Sequence, residues 1–244
     1  MNTIKLTIEY DGTAYAGWQR QPNHPTIQAV LEEALFQITQ QRITTVASGR
    51  TDSGVHALGQ VVSFQSDNSL ASTQWGPALH RYLPKDITVV SSESAPDDFH
   101  ARYSAKGKIY EYQVSTQASR PALNRYRVWH IPYPLDTEAM QQAMSDLCGT
   151  HDFTSFRGQR SQTLNPVCTI SHLSLRSEIQ SLTFRIEGDR FLKHMVRNLV
   201  GTLIEVGQHK RHANSLETVL LAKDRRAAGR TAPPHGLYLT QVLY

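Results

Sequence analysis

The strongest constraint on the fold is an order of strands and helices that the chain runs through twice. Ile4, Leu6, Ile8 and Tyr10 keep the period of two expected of a strand with one buried face. Thr26 is placed to cap a helix in which Ile27, Val30, Leu31, Ala34, Leu35 and Ile38 share one face. Strands are expected at 43–48 and 58–65, a helix near 70–82 and a strand over Ile87–Ser91. The second half repeats the theme with a strand at 106–115, a helix over Asp136–Cys148 ended by Gly149, and a hairpin of strands at 167–176 and 181–187. A long helix over 190–206, a shorter one near 214–223 and a closing strand Leu237–Leu243 complete it.

Each pass is β-α-β-β-α-β, the split βαβ or ferredoxin-like arrangement. The expected fold is therefore α+β, with two tandem ferredoxin-like halves, 1–104 and 105–244. Their strands would form one extended, mostly antiparallel sheet with helices on one face. The other face would stay open, which leans towards binding a macromolecule without naming it.

Composition narrows the partners. With 244 residues the chain can bury one large core or two small ones. No apolar run approaches the roughly 20 residues of a spanning helix, and the alternating start lacks a signal-peptide core. Cys148 and Cys168 have no metal-ligand spacing and suggest no disulfide framework. The expectation is a cytoplasmic protein with reduced thiols and no membrane partner. Net charge is only +4, but 18 of the 25 basic residues are arginine. Guanidinium groups pair bidentately with phosphate and stack on bases, so the bias suits RNA.

The run Ser48-Gly-Arg-Thr-Asp-Ser-Gly-Val-His56 places one carboxylate, Asp52, between two glycines, with Arg50 two residues before it. A charged, glycine-framed loop between strands can present a reactive group on a rigid scaffold. It is equally the composition of an ordinary hairpin turn. On the strand at 106–115, Tyr110 and Tyr112 share a face, as base-stacking or as half-buried residues. In the expected helix 190–206, Arg190, Lys193 and Arg197 lie near one face, to line a groove, meet a carboxylate or face solvent. Gly201, opposed to helix propensity, implies a close neighbour there. Phosphate-loop, dinucleotide, zinc and nucleophile-elbow signatures are missing. By elimination the expected chemistry uses no metal and no cofactor, with Asp52 as the best nucleophile candidate.

The segments Tyr10-Asp-Gly-Thr-Ala-Tyr-Ala-Gly-Trp-Gln-Arg20, Gly49-Arg-Thr-Asp-Ser-Gly-Val-His56, Phe99-His-Ala-Arg102, Tyr110-Glu-Tyr112, Asp152-Phe-Thr-Ser-Phe-Arg157, His194-Met-Val-Arg-Asn198 and Gly236-Leu-Tyr-Leu239 follow one another along the chain. In that order they resemble the TruA family of tRNA pseudouridine synthases over nearly the whole length. The resemblance implies isomerisation of uridine to pseudouridine at positions 38, 39 and 40 of the anticodon stem-loop, with Asp52 as nucleophile. It implies that Arg197 pairs with Asp52, that Tyr110 stacks on the base, that Arg50 contacts substrate, and that the protein acts on tRNA as a homodimer. One departure stands out: Cys168 occupies a position where the family carries arginine, so a phosphate contact is missing or comes from Arg160. A non-catalytic RNA-binding module on the same fold is the alternative. The pairing of Asp52 with Arg197 separates the two, since a carboxylate repels phosphate and binding alone does not require it.

Overall fold

The structure, a computed structural model, describes residues 2–159 and 163–244. Arg160, the expected substitute for the missing arginine, lies outside the described residues. Two compact units are present: Met1–Lys106 together with Tyr238–Tyr244, and Gly107–Leu237. Each combines helices with a mostly antiparallel sheet. The halves expected from sequence were 1–104 and 105–244. The units divide two residues later, and most of the last strand joins the first unit. Its residues Tyr238 and Leu239 pair in parallel with His56 and Ala57, a partnership that no local pattern announces.

In the first unit the strands are β1 (Asn2–Tyr10), β2 (Val46–Ala47), β3 (His56–Ser66) and β4 (Ile87–Ala95). Joined by β10 (Leu237–Leu243), they run in the order β4-β1-β3-β10, with β2 pairing β3. Ile4, Leu6, Ile8 and Tyr10 are all buried, as their alternation requires. The helix α1 (Ile27–Thr39) begins at Thr26, whose side chain accepts from the Ala29 amide at 3.4 Å. It buries Ile27, Leu31, Ala34 and Leu35. The expected strand at 43–48 is only two residues long. The expected helix at 70–82 shrinks to a 3-10 turn, Ser72–Gln74, and α2 (Trp75–Leu79). Trp75 is fully buried there, edge-on to Phe64.

In the second unit β5 (Gly107–Ser115), β7 (Gly149–Asp152), β8 (Val167–Glu178) and β9 (Ser181–Gly188) lie in the order β5-β9-β8-β7. The short β6 (Trp129–His130) runs parallel to β5. Leu182, Phe184 and Ile186 of β9 are buried, while Thr183, Arg185 and Glu187 between them are half-exposed. That second face is polar, with Arg185 opposite Glu111 and 3.6 Å from its carboxylate. The helices are α3 (Thr137–Met144), α4 (Met195–Gly207) and α5 (Leu216–Ala222). Asp136 caps α3 through the Ala139 amide at 2.9 Å. Gly149 does not end that helix: a 3-10 turn, Ser145–Leu147, intervenes, and Gly149 opens β7 with φ +103°.

Candidate active site

Asp52 sits on a loop whose feet are fixed by buried polar side chains. Gln60 of β3 is fully buried. It accepts a hydrogen bond from the Ser48 hydroxyl at 2.7 Å and donates one to the Gly49 carbonyl at 2.8 Å. Tyr10 of β1 meets the Thr51 hydroxyl at 2.7 Å, and burial pushes its phenol up to about 12. Neutral at any physiological pH, it holds the residue before Asp52 without adding charge. The Val55 amide donates to the Asp52 carbonyl at 3.1 Å, closing a turn in which Gly54 takes φ +76°. Thr51 is buried, Asp52 is half-buried, and Ser53 is exposed.

The segment Gly12–Trp18 braces this loop from outside. The Trp18 amide donates to the Thr51 carbonyl at 3.1 Å, and the Ser53 hydroxyl donates to the Tyr15 carbonyl at 3.2 Å. Here glycine is required rather than tolerated. A methyl group on Gly17, which has φ +93°, would stand 2.6 Å from the Thr51 carbonyl oxygen and 2.9 Å from the Asp52 carbonyl carbon. One on Gly12 would collide with the Val55 carbonyl. The Gly12 amide donates to His56 Nδ1 at 3.1 Å. The Asp11 carboxylate, 3.2 Å from the same nitrogen, forms an ion pair only with a protonated ring. Two sequence landmarks, Tyr10–Arg20 and the Gly49–His56 run with the candidate nucleophile, are thus two backbones pressed together. Arg50, on the same loop, is exposed, with no hydrogen bond or ion pair among the described residues.

Arg197 and Tyr110 belong to the second unit. The helix α4 starts at Met195, five residues later than its periodicity suggests, because His194 takes a left-handed φ of 60°. Arg190 and Lys193 therefore precede the helix and share no face with Arg197. Arg190 instead donates to the Asn165 carbonyl at 2.7 Å. Arg197 is half-buried in the first turn of α4, where its Nε donates to the Ala232 carbonyl at 2.8 Å and its own carbonyl accepts from the Ala232 amide at 3.0 Å. Tyr110 is 8% exposed and edge-on to Phe191, with ring centroids 5.1 Å apart. Tyr112, on the same face of β5, is fully buried and donates to the Pro233 carbonyl at 2.8 Å. Burial drives its phenol far above the ordinary range, against the opposing charges of Arg197 and Arg230.

Sequence reasoning missed the strap that follows α5. From Asp224 to Gly236 the chain docks along α4, which explains Gly201: a methyl group there would run into the Arg230 carbonyl. Asn198, fully buried, donates to the Phe156 carbonyl at 2.7 Å and accepts from Thr231 at 2.6 Å and Arg225 at 3.0 Å. The only local signals were Gly201 and the basic run Lys223-Asp-Arg-Arg226. The landmark Asp152–Arg157 is equally structural, with Phe153 and Phe156 fully buried and Ser155 donating to the Val219 carbonyl at 2.6 Å. Cys168 is buried on β8, its thiol pushed up to about 11 chiefly by burial, and offers no surface to a phosphate. Among the described residues no three His, Cys, Asp or Glu side chains gather to hold a metal, and no helix is long and apolar enough to cross a membrane.

A family model described as tRNA pseudouridine synthase matches residues 6–104 and 143–244. The chain belongs to the tRNA pseudouridine synthase family. It is 45% identical over 244 residues to tRNA pseudouridine synthase A of Acetivibrio thermocellus, with all of both chains covered. It is 48% identical to the protein of the same name from Halalkalibacterium halodurans, covering 97% of this chain and 90% of that one. With that of Geobacillus kaustophilus it shares 47% over 99% of this chain and 94% of the other. Pseudouridine synthases are isomerases, and membership places this chain among enzymes of that class. The braced Asp52 loop falls within the first matched stretch; Arg197 falls within the second, and Tyr110 lies outside both.

Proposed function

We propose that this synthase isomerises uridine to pseudouridine at positions 38, 39 and 40 of the anticodon stem-loop of tRNA, with Asp52 as the nucleophile. The observation that carries this reading is the Asp52 loop itself. A half-buried carboxylate stands on a turn anchored by Gln60 and Tyr10 and braced by Gly17, which is the preorganisation a reacting group needs and a solvated turn does not.

In this reaction the N1–C1′ glycosidic bond breaks, the uracil turns within the site, C5 bonds to C1′, and the C5 proton leaves. The carboxylate serves either by attack on C6 of the base or by assisting departure at C1′ of the ribose. Both routes need Asp52 ionised. An always-charged guanidinium keeps it so most economically, and the proposal gives Arg197 that role. Tyr110 stacks on the base, Arg50 contacts the substrate, and the target nucleotide is flipped out at a cost of a few kcal/mol. No cofactor takes part. The enzyme works in the cytoplasm as a homodimer of tandem ferredoxin-like halves. The strand order β4-β1-β3, with β2 antiparallel to β3, supports that arrangement for the first half.

Tritium release from tRNA labelled at uridine C5, with purified protein and no added cofactor, tests the proposal. Release that maps to positions 38–40 supports it. Binding of tRNA without release would favour the non-catalytic RNA-binding reading.

A further inference from the structure

The strap along α4 leaves a cavity of about 490 Å³ inside the second unit, lined by Gly158, Gln159, His194, Arg225, Arg230 and Thr231 among others. Its charge is unbalanced. Arg226 at its rim is paired with Asp224 at 2.7 Å. The Glu205 carboxylate is held by Arg211 at 2.6 Å and by the Arg230 amide at 2.9 Å. Neither Arg225 nor Arg230 makes an ion pair among the described residues. The Arg230 guanidinium lies over the Trp129 ring, 4.6 Å from its centroid.

Arg225 is the informative side chain. It is half-buried, and it is fixed by three neutral acceptors: Asn198 and Thr231, each at 3.0 Å, and the Ala228 carbonyl at 3.3 Å. A guanidinium has five donors, so this arrangement leaves Nε–H and one further N–H uncommitted. The nearest acid acting on it, Glu205, makes no direct ion pair with it and is already bonded to Arg211, so this fixed cation at an open cavity is prepared for an anion. Desolvation makes the unfilled arrangement costly, in keeping with the downward push that burial gives this guanidinium.

We infer that the cavity bounded by Arg225, Arg230 and His194 binds a phosphodiester group of the RNA backbone. This rests on the reading of the protein as a tRNA-modifying enzyme. A phosphate there takes the free donors of Arg225 on one side and the Arg230 charge on the other. Asn198 links this contact to Arg197, its neighbour in the first turn of α4, so RNA docking and the expected catalytic turn share one buried hub.

The test is tRNA affinity measured across a range of salt for the full-length protein and two variants. Arg225→Gln should weaken binding on the order of tenfold and flatten the slope of log K against log salt by roughly 0.7–0.9, the signature of one lost phosphate contact. Arg225→Lys should keep most of the slope. Gln159→Glu, an exposed position at the cavity wall, puts a carboxylate into the lining of the same cavity without removing any hydrogen bond of the strap. It should weaken binding similarly, and it decides the matter should Arg225→Gln fail to fold. Slopes equal to wild type in the folded variants would overturn the inference, and with normal tritium release they would leave the proposed function standing. Conversely, a protein that shows the slope changes but releases no tritium retains the phosphate site and loses the catalytic reading. Inorganic phosphate, followed by Trp129 fluorescence, separates the source. Millimolar binding displaced by tRNA supports the backbone assignment, and tight binding that tRNA does not displace refutes it.

Discussion

Replacing Gly17 with alanine tests whether the brace around Asp52 is what makes the carboxylate competent. The change adds one methyl group against the backbone of Thr51 and Asp52 and alters no functional side chain. At φ +93° a residue with a side chain carries about 1–2 kcal/mol of backbone strain. The new methyl would also lie 2.6 Å from the Thr51 oxygen where ordinary contact begins at 3.4 Å, so one backbone must retreat by 0.8 Å, the difference of the two. Overpacking of this kind costs about 1–3 kcal/mol. A total of about 3 kcal/mol lowers Tm by roughly 6–12 °C in a protein of this size. The larger consequence is kinetic. Thr51 is joined to Asp52, and a misplacement approaching 1 Å at a reacting group lowers the rate on the order of a hundredfold. Thermal melts, tRNA binding and single-turnover tritium release measure the three quantities separately. The expected pattern is a lower Tm, a kcat reduced far more than affinity, and wild-type specificity. Gly76→Ala, in α2, is the control, since its methyl comes no nearer than ordinary contact, 3.5 Å from the Val89 side chain and 3.8 Å from the Ser92 hydroxyl, and it should be neutral or slightly stabilising. Gly17→Ala with full turnover and an unshifted Tm would refute the reasoning.

Three further outcomes are expected. Asp52→Asn should abolish pseudouridine while tRNA affinity stays equal or rises, because it removes a nucleophile and a negative charge beside a polyanion; normal turnover would exclude the mechanism. Arg197→Lys keeps the charge but loses the fork that reaches the Ala232 carbonyl, so a large fall in rate with little change in affinity is predicted from steady-state kinetics. Burial pushes the Glu205 carboxyl up, but bonds from Arg211 and the Arg230 amide outweigh it and hold the group below its usual range. Its folded-state pKa being the lower, the stabilisation it provides is intact above about pH 4.5 and is lost as pH falls through the folded value. Acid titration of Tm should therefore be shallower in Glu205→Gln than in wild type, and parallel curves would show that this network adds no pH dependence.

What the amino-acid sequence determined by itself is local. The alternation in β1, the apolar stripe of α1 with its Thr26 cap, and the strand–loop–strand setting of Asp52 all depend on neighbours within a few residues. Each is present, although the strand before the loop is cut to Val46–Ala47. Gly201 is informative for the same reason, since a glycine that contradicts helix propensity marks an outside neighbour even when that neighbour is unknown. Tertiary structure decided where such signals stop. The apolar periodicity of α4 continues back through Leu192 and Phe191, yet the helix starts at Met195. His194 turns left-handed, and Phe191 packs edge-on against Tyr110 of β5. The closing strand follows the second half in sequence, yet it pairs in parallel with β3, whose partner residues lie some 180 positions back in the chain. The strap from Asp224 to Gly236 has no periodicity at all. Its conformation is fixed by Asn198, Thr202 and Glu205 on a helix more than a dozen residues away, so only the folded chain discloses the cavity it encloses with Arg225. Patterns of period two and 3.6 report the faces an element must bury; which distant backbone covers those faces is set by packing, to which no single stretch of sequence holds the key.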